Sequence, residues 1–330
     1  MKILVFEYIT GGGLVGQALP ASLATEGAMM LQALIAELKC LENIQLCIPL
    51  DERCARPDML TQVEIVRVSA NGDIFALLRD LLYEADLFWP IAPESDNLLQ
   101  SLAELAIAAN VEVLLSNPAT LSVCANKYAT YQALKKRIIP AVATHLLSEA
   151  EEGIGADKLV VKIADGVGCL DSWQIDAEQL PVKIAELTDP QRYVLQPYIG
   201  GRSASLSCLF KHGQAWLICY NHQQIVLAQG RFSLQGCLVN MQTDKLDFYH
   251  KLIKQIAEAM SGLWGYVGID VIENTELGPL VLEINPRLTS SYVGIQQATG
   301  INVAEQVLRL RHADPVLQAC RNETVQISIN

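Results

Sequence analysis

The sequence predicts a parallel α/β domain followed by an α+β portion. Three observations carry this. Up to Asn117 short apolar runs alternate with helical segments, the pattern of βαβ units around a parallel sheet. Past Pro118 that alternation stops, and strand-like runs joined by tight turns suggest antiparallel pairing among helices. Hydrophobic residues make up 51% of the 330 and charged residues 18%, which suits two or three domains or subdomains with a sizeable core, not a disordered chain.

Lys2–Glu7 reads as a buried strand followed by the loop Thr10-Gly-Gly-Gly13. Glu26–Leu41 places apolar residues at helical spacing. Gln45–Pro49 is a short strand, Val63–Val68 alternates as a strand does, and Ile74–Tyr83 is helical. Asp86–Pro90 is a strand, punctuated by Pro90 and Pro93. Leu98–Ala109 is a helix and Glu112–Leu115 another strand. Pro118–Lys127 leads into a helix through Leu134. Pro140–Leu146, Leu159–Ile163 and Tyr193–Gln196 are short strands, with helical Asp176–Glu186 among them. From Ser203 to Ala228 two strands flank a turn at Lys211-His-Gly213, and Leu246–Met260 is a helix. Gly265–Ile272 and Leu280–Leu288 are strands joined by Asn274–Pro279, which has hairpin-loop composition.

Bulk properties exclude several functions. The net charge is −12, so the basic footprint of a nucleic-acid binder is missing, and any polyanionic ligand must be held by local Lys and Arg groups. The mean hydropathy of +0.25 is high for a soluble protein. Even so, no apolar stretch is long enough to span a bilayer. The opening Met1–Glu7 lacks a signal-peptide cleavage pattern and looks like a first strand. Nine cysteines without a Cys-x-x-Cys pair point to free, mostly buried thiols in a reducing cytoplasm. The five histidines show no metal spacing. The expected partners are small molecules rather than nucleic acid or membrane, and a homodimer is compatible with the sequence.

The most informative stretch is Leu280-Val-Leu-Glu-Ile-Asn-Pro-Arg-Leu288. Strand side chains alternate faces, so Glu283 and Asn285 point the same way, with Arg287 following. Pairing with Gly265–Ile272 brings Asp270 beside them. Two carboxylates and an amide suit Mg²⁺, which usually keeps phosphate oxygens and water as its other ligands. This suggests chemistry on a nucleotide. Arg287 is open between an ion pair with Glu283 and a two-pronged grip on a carboxylate or phosphate.

A second signal is Val160-Val-Lys-Ile-Ala-Asp-Gly-Val-Gly168. Lys162 lies in an apolar strand, where a lone charge is costly unless it meets an anion. Gly166 and Gly168 allow close approach of the backbone to phosphate oxygens. The alternative is a lysine snorkelling from a strand end into an ordinary turn. Lys127 sits near a helix start and means little alone. Tyr193–Arg202 breaks at Pro197 and turns at Gly200-Gly201, so it is either a plain strand end or a connector offering main-chain groups to a nucleobase. The Thr10–Gly13 loop is a candidate acceptor-substrate loop, with Glu7 placed to grip an amine, or a permissive turn.

In this order and spacing the chain resembles the ATP-grasp superfamily from Pro118 to Leu310, with a matching α/β domain ahead of it. The Glu-x-Asn-x-Arg element after a Gly-x-x-x-Asp strand is the more specific part. The resemblance implies an ATP-grasp fold: a pre-ATP-grasp α/β domain at 1–117, a small lid subdomain at 118–197 and a large subdomain at 198–330, the last two sandwiching ATP. It implies that Lys127 and Lys162 contact ATP phosphates, and that Gln196, Pro197, Tyr198 and Ile199 bind adenine. Asp270, Glu283 and Asn285 would ligate Mg²⁺ or Mn²⁺, and Arg287 would contact the transferring phosphoryl group or acyl phosphate. Relatives often place an acidic residue after the connector for the ribose, whereas this chain offers Arg202. Cys169-Leu-Asp171 stands where a further Gly-rich run is usual.

Lys2–Gly13 and Glu26–Leu31 are similar to the tyramine–glutamate ligases of methanofuran biosynthesis, whose bacterial members accompany the methylofuran pathway. The implied reaction is carboxylate–amine ligation through an acyl phosphate. The alternatives are an amino-acid ligase or carboxylase with another acceptor, and a regulatory protein that binds ATP without turnover.

Overall fold

A computed structural model describes residues 1–57, 60–150, 154–169 and 171–329. Strands β1 (Lys2–Glu7), β2 (Gln45–Asp51), β3 (Glu64–Val68), β4 (Leu87–Ile91) and β5 (Glu112–Val113) form a parallel sheet in the order β3-β2-β1-β4-β5. The order reverses between β1 and β4, which opens a crevice at their carboxyl ends. Alternation buries both faces: Ile3 and Val5 pack toward α1 (Ala21–Lys39), while Leu4 and Phe6 pack toward α2 (Ile74–Leu82) and α3 (Leu98–Ala108). Helix α1 starts five residues ahead of the expected Glu26, because Pro20 supplies an extended cap and Ala21-Ser-Leu-Ala continues the helix.

The predicted helix after Pro118 is two helices, α4 (Pro118–Ala125) and α5 (Lys127–Lys135). Asn126 separates them by leaving helical φ/ψ and capping Tyr128 and Ala129 with its side chain. That cap makes Lys127 the first residue of α5.

The second sheet runs β14-β13-β10-β11-β12-β8-β7-β9-β6, with β15 (Val325–Ser328) also paired to β12. Its members are β6 (His145–Leu146), β7 (Lys158–Ile163), β8 (Ser172–Asp176), β9 (Tyr193–Pro197), β10 (Arg202–Lys211), β11 (Gln214–Ala228), β12 (Arg231–Val239), β13 (Trp264–Asn274) and β14 (Gly278–Asn285). The expected strand Pro140–Leu146 shrinks to β6, since Pro140 has no N–H to donate and Ala141 makes only an isolated bridge to Val281. The helix expected from Asp176 is α6 (Leu180–Glu186), preceded by a 3-10 turn, and Asp176 itself ends β8. Helix α7 (Leu246–Ala259) packs on β10 and β11, and α8 (Tyr292–Thr299) and α9 (Val303–Leu310) follow β14. Leu170 lies outside the described residues.

One core joins the two sheets. Met30, Leu34 and Leu38 of α1 cluster with Tyr292, Ile295, Val303 and Val307 of α8 and α9. The buried Glu37 ties the same contact, accepting from Tyr292 Oη at 2.8 Å and from the Ala304 N–H at 2.7 Å. Among the described residues no helix is long and apolar enough to cross a membrane. The cysteines are free thiols, five of them buried.

Candidate functional site

The antiparallel pairing of β13 and β14 sets Asp270 opposite Glu283 and Gly268 opposite Asn285. A bulge beyond Asp270 shifts the register, so Leu282 and Glu283 both reach the same cavity. Burial and the neighbouring Glu283 push the Asp270 carboxyl well above the usual range. Burial also acts to raise Glu283, but the nearby Lys127 and Lys162 outweigh it and hold its carboxyl low. Gln223 Nε2 donates to Asp270 at 2.9 Å, and Asn285 Nδ2 lies 3.4 Å from its other oxygen. Among the described residues no cluster of three or more His, Cys, Asp or Glu side chains forms a metal cage. Two crowded carboxylates and an amide nonetheless fit a hard divalent cation that fills its other positions with water and phosphate.

Lys127 Nζ donates to the Gly166 carbonyl and lies 3.5 Å from Glu283. Its own N–H donates to Ala164 at 2.9 Å, fastening the start of α5 to the end of β7. Lys162 is held in the middle of a small antiparallel group, opposite Ser172 of β8 and Val194 of β9. Burial, then the Lys127 charge, pulls its ammonium down to about 8. An anion brought to this pair would relieve both effects.

The loop after β7 is tied to the first domain. Ser95 Oγ donates to the Asp165 carbonyl at 2.9 Å, and the Asp96 N–H donates to the Asp165 carboxylate at 2.9 Å. Beyond these ties Gly166 and Gly168 line the cavity. Gly168 has φ +62°, a conformation that favours glycine, and open space where a side chain would stand. The connector Gln196, Pro197, Tyr198 and Ile199 lines the cavity too. Gln196 is anchored by its side chain, which donates to Thr144 Oγ1 at 2.7 Å, and the Tyr198 N–H is taken by Lys158. Arg202 is not brought to the cavity. Gly201 and Ser203 line it, so alternation turns Arg202 to the other face, where it lies 3.8 Å from Glu273.

The cavity has a volume of about 660 Å³ and reaches the carboxyl end of β1. There Glu7 accepts from the Thr10 N–H and hydroxyl at 2.7 and 2.6 Å and from the Ile9 N–H at 3.1 Å. Burial still leaves its carboxyl raised. The Glu7 carboxyl fills the place a Cβ on Gly27 would take, 2.6 Å from it. Glu26, one residue before, accepts from Ser290 Oγ and also lines the cavity. Tyr8, Leu14, Leu23 and Met30 supply apolar wall. Arg287 lines the cavity, and its ion-pair partner is Glu94 rather than Glu283: Nε donates at 3.0 Å, and Nη2 lies 2.9 Å from the same oxygen.

Gln223, Glu26 and Glu94 escaped the sequence reasoning. Gln223 carries no local motif, and Glu26 opens the Glu26–Leu31 resemblance without a role attached to it. Glu94 had a usable signal, a carboxylate just past a strand end in an α/β sheet, but the two prolines beside it read only as punctuation.

Comparison with known proteins bears on the family and the fold. The ATP-grasp domain model matches residues 124–291, and the pre-ATP-grasp 3 domain model matches 44–121. The tyramine–L-glutamate ligase of Methanocaldococcus fervens is 26% identical over 93% of this chain and 93% of its own length. The crystal structure of an ATP-grasp superfamily protein from Archaeoglobus fulgidus superposes with a TM-score of 0.74 at 22% identity, covering 99% of this chain and 92% of that one. The L-amino acid ligase of Bacillus licheniformis gives a TM-score of 0.67 at 18% identity, with 96% and 74% covered. With more than half of its length matched by the domain model and the fold shared throughout, this chain belongs to the ATP-grasp family.

Proposed function

We propose that this protein is an ATP-dependent carboxylate–amine ligase, joining an amino acid such as glutamate to an amine such as tyramine. The carrying observation is one cavity that gathers two sets of groups. Lys127 and Lys162 line it with Asp270, Glu283 and Asn285, Glu7 and Glu26 line it as well, and Arg287 also contributes to the wall. Cationic groups suit phosphates, and carboxylates beside Leu14, Leu23 and Met30 suit an ammonium carried on an apolar body. The ligase activity named for the Methanocaldococcus relative supports the same reaction class.

In the proposed reaction a substrate carboxylate oxygen attacks the γ-phosphorus of ATP, the bond to the bridging oxygen breaks, and ADP leaves. The amine nitrogen then attacks the acyl carbon, phosphate departs, and the nitrogen loses a proton. Lys127 and Lys162 neutralise phosphate charge, and Arg287 holds the oxyanion beside the acyl carbon. The Gly166–Gly168 loop closes over the site and excludes water that would hydrolyse the intermediate. The Gln196–Ile199 connector offers main-chain groups to the adenine. Asp270, Glu283 and Asn285 would hold Mg²⁺ or Mn²⁺, whose positive charge neutralises phosphate oxygens when bound. In this assignment residues 1–117 are the pre-ATP-grasp domain, 118–197 the small lid subdomain and 198–330 the large subdomain.

The test is an ATP-dependent ligation assay with glutamate and a panel of amines that includes tyramine. ADP and phosphate should appear only when a carboxylate and an amine are both present, with an amide of the summed mass less water. ATP binding without turnover across the panel would instead favour a regulatory protein.

A further inference from the structure

Arg287 is held by contacts within the chain itself. Its Nε donates to Glu94 Oε2 at 3.0 Å, Nη2 lies 2.9 Å from the same oxygen, and Nη1 donates to the Leu288 carbonyl at 3.1 Å. A guanidinium carries five N–H donors in one plane. With the Nε donor and one on Nη1 engaged, and Nη2 held beside Glu94 by charge, three donors remain on the terminal nitrogens. Two such donors on a fixed plane form the fork that grips a carboxylate or phosphate.

Glu94 comes from the other half of the molecule, 193 positions away in sequence, just past the carboxyl end of β4. It is 4% exposed, and its second oxygen is buried without a hydrogen-bond partner among the described residues. A buried unpaired acceptor is costly, and more so when it is charged. Buried ion pairs can often be replaced by apolar side chains without loss of stability. Stability therefore does not account for a carboxylate here, whereas orientation of Arg287 does.

We propose that Glu94 is the positioning residue of the ligation: it sets the plane of Arg287 so that the remaining fork meets the substrate oxyanion. The proposal rests on the assignment of Arg287 as the anion contact. It also makes productive chemistry depend on docking of the first sheet against the second.

The test uses the full chain with Glu94→Gln, Glu94→Asp, Arg287→Ala and the double variant Arg287→Ala/Glu94→Gln. Glu94→Gln should lower kcat by about 10- to 100-fold, the scale of a small misplacement of a reacting group. Its ATP affinity should stay unchanged. Glu94→Asp, which keeps the charge, should recover part of the rate. Added guanidinium ion should restore some turnover to Arg287→Ala but not to the double variant, because only a carboxylate can seat it. Wild-type kcat in Glu94→Gln overturns the proposal, as does a parallel loss of kcat, ATP affinity and thermal stability. If Glu94→Gln does not fold, partial guanidinium rescue of Arg287→Ala/Glu94→Asp supports the proposal and the absence of any rescue overturns it. Wild-type activity in Arg287→Ala removes the assignment beneath it, and a wild type without turnover removes the ligase function itself.

Discussion

At the scale of single residues, the metal and nucleotide contacts proposed for the cavity separate by experiment. Asp270 and Glu283 stand opposite each other, and the Glu283 charge adds to burial in raising the Asp270 carboxyl, a setting a cation would favour. Asp270→Asn and Glu283→Gln keep shape and remove that charge. Either should lower turnover by roughly 100-fold or more, the scale lost when one preorganised electrostatic contact is removed. The fold should stay intact by circular dichroism. Lys162→Ala differs in kind: it relieves a buried cation but removes a phosphate partner, so nucleotide affinity measured by calorimetry should fall. Full activity in both carboxylate variants would remove the metal assignment, and unchanged nucleotide affinity in Lys162→Ala would remove its phosphate role. These candidates are legible because strand alternation alone puts Glu283 and Asn285 on one face, and because Lys162 stands out as a charge inside an apolar strand. Glu94 and Gln223 are not, since each acquires meaning only from a partner brought in by tertiary structure.

Among elements, the contact of α1 with α8 and α9 has a pH signature of its own. Burial raises the Glu37 carboxyl from 4.5 to about 7, despite donors from Ala304 and Tyr292. Below pH 4.5 the group is protonated folded and unfolded alike and changes nothing. Between 4.5 and 7 the unfolded chain releases the proton first, so stability falls as pH rises, and the full cost is present above 7. The shift corresponds to ~3 kcal/mol. Urea titrations at pH 5 and pH 8 should therefore show wild type losing about that much more stability than Glu37→Gln. Parallel pH profiles for the two would show that Glu37 is not buried in this way. Helix α1 could be read from its periodicity, as could β1, β7, β10 and β13. Strand β8 could not: Trp173 and Ile175 are its only large apolar residues, and Asp176 resembles a helix cap because it also caps the following turn. Strand β12 alternates in sequence, but its pairing with β8 rests on Arg231 opposite Trp173, a match invisible without the fold.

The molecule as a whole places its cavity between parts of the chain that are distant in sequence, and its core does the same. Trp89 and Ile48 of the first sheet belong to one buried cluster with Tyr292, Ile295 and Val307, so neither sheet can lose its packing alone. No periodicity encodes that docking, which is why the sequence divides into domains more readily than the structure does. The ion pairs Arg287–Glu94 and Arg311–Glu112 cross the same boundary. Multidomain chains commonly unfold in steps, but a shared apolar core sets the opposite expectation here. Thermal unfolding should be a single transition, with near-ultraviolet and far-ultraviolet circular dichroism coinciding in midpoint. A saturating concentration of MgATP should move both signals together, by about 2.7 kcal/mol at a hundred times the dissociation constant. If the first sheet melted separately while nucleotide protected only the second, the common core would not couple them, and the dependence of Arg287 on Glu94 would lose its structural basis.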